Sequence, residues 1–136
     1  MVGAMKTSLT PRLVVRDADA ALRYYRDALG GRELERHTDP SRDDAIVHAT
    51  VELQGGVVFA VLDENREWGN VAPPTVDAST IVLSLEVDDP DAVAARMIER
   101  GAEEIFPVRD QPYGQRAGRV RDPFGHLWIL TRLIQS

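Results

Sequence analysis

The sequence predicts an α+β fold in which one βαβββ unit occurs twice along the chain. Stretches rich in apolar and β-branched residues occur in both halves, and each half contains one amphipathic helical stretch. The second half also repeats the first, since VRDADAALRYYRDALGGREL aligns with VDDPDAVAARMIERGAEEI with one gap. Any two amphipathic helices that follow strands look alike, but the shared N-cap, spacing and terminal glycine favour a true repeat. The aligned pairs are Val15 with Val87, Asp17 with Asp89, Asp19 with Asp91, Ala20 with Ala92, Gly30 with Gly101, and Leu34 with Ile105.

The first unit is expected to span residues 8–63. It opens with the strand SLTPRLVV over residues 8–15, after which Asp17 has the side chain of a helix N-cap. Apolar residues at three- and four-residue spacing then form one helical stripe, which ends at Gly30 and Gly31. Three strands follow, RELERHT, AIVHATVEL and VVFAVLD, and the turn QGG joins the last two.

The second unit is expected to span residues 80–133, after a polar linker over residues 64–79 that is rich in proline and glycine. It opens with the strand TIVLSLEV. Asp89 then caps a helix whose first position is Pro90, where a missing N–H costs little. The helix DAVAARMIER ends at Gly101, and EEIFPV, RAGRVRD and LWILTRL are the three remaining strands.

Length and composition favour one domain. We expect residues 1–7 to be a disordered lead and residues 8–136 to form a single domain. Membrane association is not expected, because no apolar run approaches spanning length and the N-terminus lacks a signal-peptide core. The chain has no cysteine, which excludes disulfides and thiolate ligands and fits a cytoplasmic protein.

The net charge of -6 argues against binding to nucleic acid, which needs a basic surface. The charge is compatible with a neutral or cationic small molecule as the partner, and solubility is the simpler explanation for it.

A duplicated βαβββ unit also predicts a curved mixed sheet around a cleft. Each unit offers one curved sheet with an uncovered concave face, and two such sheets related by a pseudo-two-fold axis would enclose a cleft. Inward-facing residues of the first and fourth strands of each unit would line it. We expect a ligand to bind there.

The stretches LVVRDADAALRYYRDALGG, LEVDDPDAVAARMIERGAE and RVRDPFGHLWIL make this sequence resemble the vicinal oxygen chelate superfamily, also called the glyoxalase/bleomycin-resistance/dioxygenase proteins. Within it, VHATVEL and YGQRAGRVRDPFGHLWIL resemble the PhnB-like branch. The likeness covers nearly the whole chain. It implies the glyoxalase/bleomycin-resistance fold and a homodimer, with the cleft either within one chain or between two. A shared fold hosts many activities, so it implies less about function.

Metal-dependent members of the superfamily place a His or Glu ligand near the middle of the first and fourth strands of each unit. The resemblance carries these four positions onto Thr10, Ala60, Val82 and Ile129. No His, Asp or Glu occurs within two residues of any of them, so an error in register would not restore the ligands. Because transition metals need nitrogen or anionic oxygen donors, we expect neither a metal site nor a cofactor.

The three histidines are the candidates for acid–base chemistry. His48 is the candidate catalytic residue, because it shares a strand face with Thr50 and Glu52, and a surface histidine is the alternative. We expect His37 to be exposed. His126 follows the DPFG turn, where polar side chains commonly satisfy backbone groups.

The expected ligand-binding residues lie at the predicted cleft and in the loops around it. Arg116 could bind a carboxylate or phosphate, and an ion pair with a surface acid such as Asp110 or Asp122 is the alternative. Aromatic side chains in loops could stack on a planar ligand. The full set is Thr10, Arg12, Ala60, Trp68, Val82, Ser84, Tyr113, Arg116 and Ile129.

Three hypotheses about function follow. The first is a metal-free protein that binds a small organic molecule, cationic or planar, in the manner of superfamily members that sequester an antibiotic. The second is a lyase- or dioxygenase-like enzyme with a non-standard or absent metal site, in which His48 or Arg116 acts on an unknown substrate. The third is a module whose surface, rather than its cleft, contacts a partner.

Overall fold

Eight strands form two four-stranded mixed sheets in the computed structural model, which describes residues 6–134. The elements in chain order are β1 (Arg12–Val15), α1 (Ala18–Leu29), β2 (Arg32–Asp39), β3 (Ala45–Leu53), β4 (Val57–Asp63), α2 (Pro73–Val76), β5 (Val82–Glu86), α3 (Pro90–Glu99), β6 (Glu103–Asp110), β7 (Gln115–Arg121) and β8 (Leu127–Leu133). The strand orders are β1-β4-β3-β2 and β5-β8-β7-β6. The pairs β1–β4 and β5–β8 are parallel and the other pairs are antiparallel. The predicted α+β fold of two βαβββ units is therefore confirmed.

The repeat extends to individual hydrogen bonds. Asp17 Oδ1 accepts from the backbone N–H of Ala20 at 3.0 Å, and Asp89 Oδ1 accepts from that of Ala92 at 3.1 Å. Each aspartate therefore satisfies one of the unpaired N–H groups in the first turn of its helix. The two halves use the same residue at the same step to begin their helices.

The first strand is shorter than the sequence predicts. A strand over residues 8–15 was expected, but β1 begins at Arg12 and residues 8–10 are exposed. Pro11 accounts for the difference, because proline has no backbone N–H to donate to a sheet. Its carbonyl still accepts from the backbone N–H of Ala60 at 2.8 Å. Of the predicted disordered lead, residues 1–5 lie outside the described residues.

A single hydrophobic core joins the two units. Tyr25 of α1 is fully buried and its ring contacts Phe59 of β4, at 5.3 Å between centroids, and Trp128 of β8, at 5.9 Å. The Phe59 and Trp128 rings also touch edge to face, at 5.7 Å. Because Phe59 and Trp128 belong to different sheets, this buried aromatic cluster links the halves through their helix-covered faces.

The turn between β7 and β8 is organised by one buried carboxylate. Asp122 Oδ1 accepts from the backbone N–H groups of Phe124 at 2.9 Å and His126 at 3.0 Å. Asp122 Oδ2 accepts from the Tyr25 hydroxyl at 2.6 Å and from Trp128 Nε1 at 2.8 Å. Both carboxylate oxygens of Asp122 therefore accept hydrogen bonds within the folded chain, and Asp122 is not the partner of Arg116.

No helix within residues 6–134 is long and apolar enough to cross a membrane.

Candidate functional site

A cavity of about 430 Å³ lies against the first sheet, on the face turned away from the core. Leu13 and Val15 of β1 point into the core, so their neighbours Arg12 and Val14 point to the opposite face and line the cavity. Leu62 of β4 continues this apolar floor. The cavity is within the volume range of small-molecule sites. The residues that shape it are Arg12, Val14, Arg42, Leu62, Asp63 and Trp68.

Trp68 stands at this cavity on a tightly bonded loop. Asn65 and Asn70 exchange two backbone hydrogen bonds of 2.8 and 2.9 Å, which close residues 65–70 into a small hairpin. Within it, the side chain of the buried Asn65 caps the 3-10 helix Arg66–Trp68 by accepting from the backbone N–H of Glu67. The loop therefore holds the Trp68 side chain in place while leaving it 68% exposed. A single exposed aromatic residue on a fixed loop is suited to stacking on a planar ligand.

Two arginines bring positive charge to the cavity. Arg12 Nη2 donates to the carbonyl of Val47 at 3.1 Å, and Arg42 Nη2 donates to the carbonyl of Glu64 at 2.9 Å. These bonds fix the positions of the guanidinium groups without neutralising them. Each group keeps further N–H donors that could face a ligand.

Asp63 is the one acidic residue in the lining, and its carboxylate already has partners. Its Oδ1 accepts from the backbone N–H of Ala18, and its Oδ2 accepts from that of Ile46, both at 2.8 Å. Asp63 thereby connects the end of β4 to the first turn of α1 and to the start of β3. We assign it a structural role, because both oxygens are held by the backbone.

A second cavity, of about 330 Å³, adjoins the first and shares Arg12 and Val14 with it. Its walls are mainly apolar and include the exposed side chains of Val76 and Ile81. His126 also lines it, and its Nε2 donates to the carbonyl of Val14 at 2.8 Å. His126 therefore satisfies a backbone group, as the sequence predicts, and ties the β7–β8 turn to β1.

Comparison with known proteins identifies the family of this chain. The family model described as Glyoxalase/Bleomycin resistance protein/Dioxygenase superfamily matches residues 7–130. The chain belongs to this superfamily. The uncharacterized protein Mb0911c of Mycobacterium bovis is 34% identical over 134 residues, which are 97% of this chain and 87% of that protein.

Solved structures of other proteins share the architecture of this chain. TioX from Micromonospora sp. ML1 is 26% identical with a TM-score of 0.72, covering 95% of this chain and all of TioX. A superfamily domain from Frankia sp. EAN1pec is 21% identical with a TM-score of 0.74, covering 98% and 96% of the two chains. A PhnB protein from Bacillus cereus is 19% identical with a TM-score of 0.66, covering 93% and 99%. At these lower identities the last two show the fold alone.

The four positions at which metal-dependent members of the superfamily have ligands carry no metal-binding side chains in this chain. Ala60 is fully buried and Ile129 is half-buried, and neither has a donor atom in its side chain. Val82 is equally without a donor, and Thr10 precedes β1 at the surface. Within residues 6–134 no three His, Cys, Asp or Glu side chains form a group that could hold a metal. The four positions therefore do not fit a divalent ion.

The sequence-predicted ligand residues fall into three places. Arg12 and Trp68 line the cavity described above, and Ala60 is the register partner of Arg12 on the neighbouring strand. Thr10 lies just before them. On the second sheet, Ser84 pairs with Ile129, while Val82 is exposed two residues away.

Tyr113 and Arg116 form the third place, at the β6–β7 connection, and do not line the Trp68 cavity. Arg116 Nε and Nη2 bind Asp91 at 2.7 and 2.8 Å, and its Nη1 binds Asp110 at 3.0 Å. These carboxylates, Asp91 first, raise the pKa of Arg116, and Arg116 in turn lowers the pKa of Asp91. The ion-pair alternative for Arg116 is the one that the structure contains.

His48 is half-buried and faces away from the core together with Thr50 and Glu52. Its Nε2 lies 3.7 Å from Glu35 Oε1 on the neighbouring strand. His37 is opposite to it in register, exposed as expected, with its Nε2 at 3.3 Å from Glu35 Oε2. His48 does not line the Trp68 cavity.

Sequence reasoning did not single out Arg42, Asn65 or Asp63. Arg42 lies in DPSRDD, whose composition indicates only a loop. In the structure, the 3-10 helix Pro40–Arg42 and the positive φ of 55° at Asp43 direct the chain so that Arg42 reaches the β4 end. The stretch NREWGN over residues 65–70 was the available signal for a closed loop, because asparagine and glycine favour tight turns.

Proposed function

We propose that this protein binds a small organic molecule in the Trp68 cavity without the help of a metal ion. The observation that carries this proposal is the cavity itself: an apolar floor, two fixed guanidinium groups and an exposed tryptophan converge on one space of about 430 Å³. Its floor occupies the same sheet face as Ala60, at which metal-dependent relatives would need a ligand. An apolar pocket with a few placed polar groups is the usual form of an organic ligand site.

We infer that the protein holds its ligand rather than transforms it. The one carboxylate in the lining, Asp63, is held by two backbone N–H groups that connect β4 to α1 and β3, and His48 lies outside the cavity. Sequestration of an antibiotic is the physiological form that we propose for this binding, in keeping with the bleomycin-resistance members of the superfamily. The sequence stretch VHATVEL supports a place near the PhnB-like branch.

Tryptophan emission tests the proposal directly. The chain has two tryptophans, of which Trp68 is 68% exposed and Trp128 is 3% exposed. In buffer with a chelator, we expect antibiotics and metabolites that bind to change the emission of the wild-type protein. The change should disappear in Trp68→Phe, which keeps Trp128 as an internal control. A ligand whose binding requires added Zn²⁺ or Ni²⁺, or leaves Trp68 unperturbed, would contradict the proposal.

We also propose that the protein is a homodimer. Large apolar side chains remain exposed on one chain, among them Val76, Ile81 and Val82 at 57%, 66% and 40%. Covering such side chains is a common reason for association. Sedimentation equilibrium should give twice the 15.1 kDa mass of one chain, whereas a monomer at micromolar concentration would refute the dimer.

A further inference from the structure

The charge of the Trp68 cavity differs from the charge of the whole chain. The chain has 22 acidic residues against 16 Lys and Arg, for a net charge of -6. The cavity lining has two guanidinium groups, Arg12 and Arg42, against the single carboxylate of Asp63. The space next to a bound ligand is therefore positive although the protein is negative.

Neither cavity arginine has a carboxylate partner within residues 6–134, where both bind backbone carbonyls only. Six of the thirteen other arginines do pair with a carboxylate. The paired arginines are Arg23, Arg26, Arg32, Arg36, Arg116 and Arg121. Lack of an acid is therefore common among the arginines in the described part of the chain, and what distinguishes Arg12 and Arg42 is that both reach one cavity, where their charge is available to a ligand.

We propose, building on the function proposed above, that the ligand of this cavity is an aromatic carboxylate. Its carboxylate would bind Arg12 and Arg42 through charge-assisted hydrogen bonds, for which the planar guanidinium group is well shaped. Its ring would stack on Trp68 above the apolar floor of Val14 and Leu62.

This ligand class replaces the cationic ligand that the overall charge suggests. At physiological ionic strength the Debye length is about 8 Å, so acids elsewhere on the surface are screened from a bound ligand. Two guanidinium groups in the cavity wall are not screened in this way. Local charge therefore decides the sign of the preferred ligand.

Three probes of matched shape test the inference by calorimetry: 2-naphthoate, 2-naphthamide and 2-naphthylmethylammonium. We expect 2-naphthoate to bind at least about tenfold more tightly than the neutral amide, as one charge-assisted contact provides. The ammonium compound should bind least. Arg12→Gln and Arg42→Gln should each weaken 2-naphthoate binding by about tenfold and leave 2-naphthamide binding nearly unchanged.

Arg66→Gln is the control, because it removes the same charge from the loop that holds Trp68, at a residue outside the lining. Circular dichroism of each variant establishes that it is folded. If 2-naphthamide binds as tightly as 2-naphthoate, with loss in Trp68→Ala, the anionic class is overturned while the cavity keeps its proposed function. If none of the three probes binds, the aromatic-carboxylate proposal is overturned. The proposed function is then tested separately, by the tryptophan-emission experiment with antibiotics and metabolites.

Discussion

Tyr25 joins the two units through both its ring and its hydroxyl. Its ring lies between Phe59 and Trp128, and its hydroxyl donates to the buried carboxylate of Asp122 at 2.6 Å. Complete burial, followed by the nearby negative charge of Asp122, raises the pKa of Tyr25 well above its usual value. The hydroxyl therefore remains protonated in the folded protein at pH values where an unfolded chain would lose the proton.

This shift predicts a loss of stability at high pH. An unfolded tyrosine titrates near pH 10, whereas folded Tyr25 keeps its proton, so above about pH 10 the unfolded state binds fewer protons. The stabilising contribution of the Tyr25 hydroxyl is fully present below about pH 10. Above that pH, loss of this contribution lowers the free energy of unfolding by up to about 1.4 kcal/mol per pH unit. Urea unfolding between pH 8 and pH 11 should show this slope, and Tyr25→Phe should reduce it.

At neutral pH, Tyr25→Phe should cost about 1–3 kcal/mol, because it removes the hydrogen bond to a buried carboxylate. Tyr113→Phe is the control, since Tyr113 is exposed and should keep the wild-type slope. An unchanged alkaline slope in Tyr25→Phe would show that this hydroxyl is not the group responsible.

Thr50 presents the opposite case, a buried hydroxyl without a partner. It is 8% exposed, and its Oγ1 has no hydrogen bond within residues 6–134. Thr50→Val removes this unsatisfied group with little change of shape, so we expect equal or higher stability, by about 1 kcal/mol. Thr131→Val is the matched control, because Thr131 is also buried but donates to Gln115 Oε1, so it should lose stability. Chemical denaturation compares the two, and a loss in Thr50→Val would reveal an additional partner.

Residue types alone predicted part of the candidate site. Arg12 and Trp68 were expected near a ligand, one from its strand position and the other from its exposed loop, and the structure brings both to one cavity. The sequence did not predict that Arg42 lines the cavity. Its position depends on the backbone angles at Asp43, which the composition of the loop does not specify. For Arg116 the sequence left two alternatives open, and only the three-dimensional position of Asp91 distinguishes them.

At the scale of elements, helix periodicity and capping were the most informative signals. Both long helices begin after the expected N-cap aspartates, and α1 ends at Gly30 with a left-handed φ of 69°. The limits of the strands were harder to predict. β1 begins directly after Pro11, which has no backbone N–H to donate to the sheet, and not at the first apolar residue. The relation between the two sheets depends on contacts between distant residues, such as Phe59 and Trp128, that periodicity does not reveal.

The equivalence of the two N-caps leads to a prediction about the repeat. Asp17→Ala and Asp89→Ala each remove one side-chain hydrogen bond to the first turn of a helix, and each should cost about 1 kcal/mol. Asn replacements should retain most of the stability, because asparagine also caps helices. Thermal unfolding of the four variants measures the costs. A large difference between the two alanine variants would mean that the aligned caps are not energetically equivalent.

At the scale of the whole molecule, the two units depend on one another. Besides the aromatic cluster, the Tyr24 hydroxyl donates to the carbonyl of Met97 at 3.0 Å. Arg96 Nε donates to the carbonyl of Ala28 at 3.2 Å, which joins α3 to the end of α1. Separation of the units would expose Tyr25 and Trp128 to water and leave Asp122 without the hydrogen bond from the Tyr25 hydroxyl.

The shared core predicts that the chain unfolds in one cooperative step. In Trp68→Phe the remaining emission comes from Trp128, at the junction of the units, and far-ultraviolet circular dichroism reports both units together. The two signals should give the same urea midpoint, because neither sheet keeps a complete core alone. Fragments 1–79 and 80–136 should each lack cooperative unfolding, because a short chain buries a smaller fraction of its surface and each fragment loses the aromatic contacts between the units. A cooperative transition in either isolated fragment, or separate midpoints for the two signals, would instead show that each βαβββ unit is an independent folding domain.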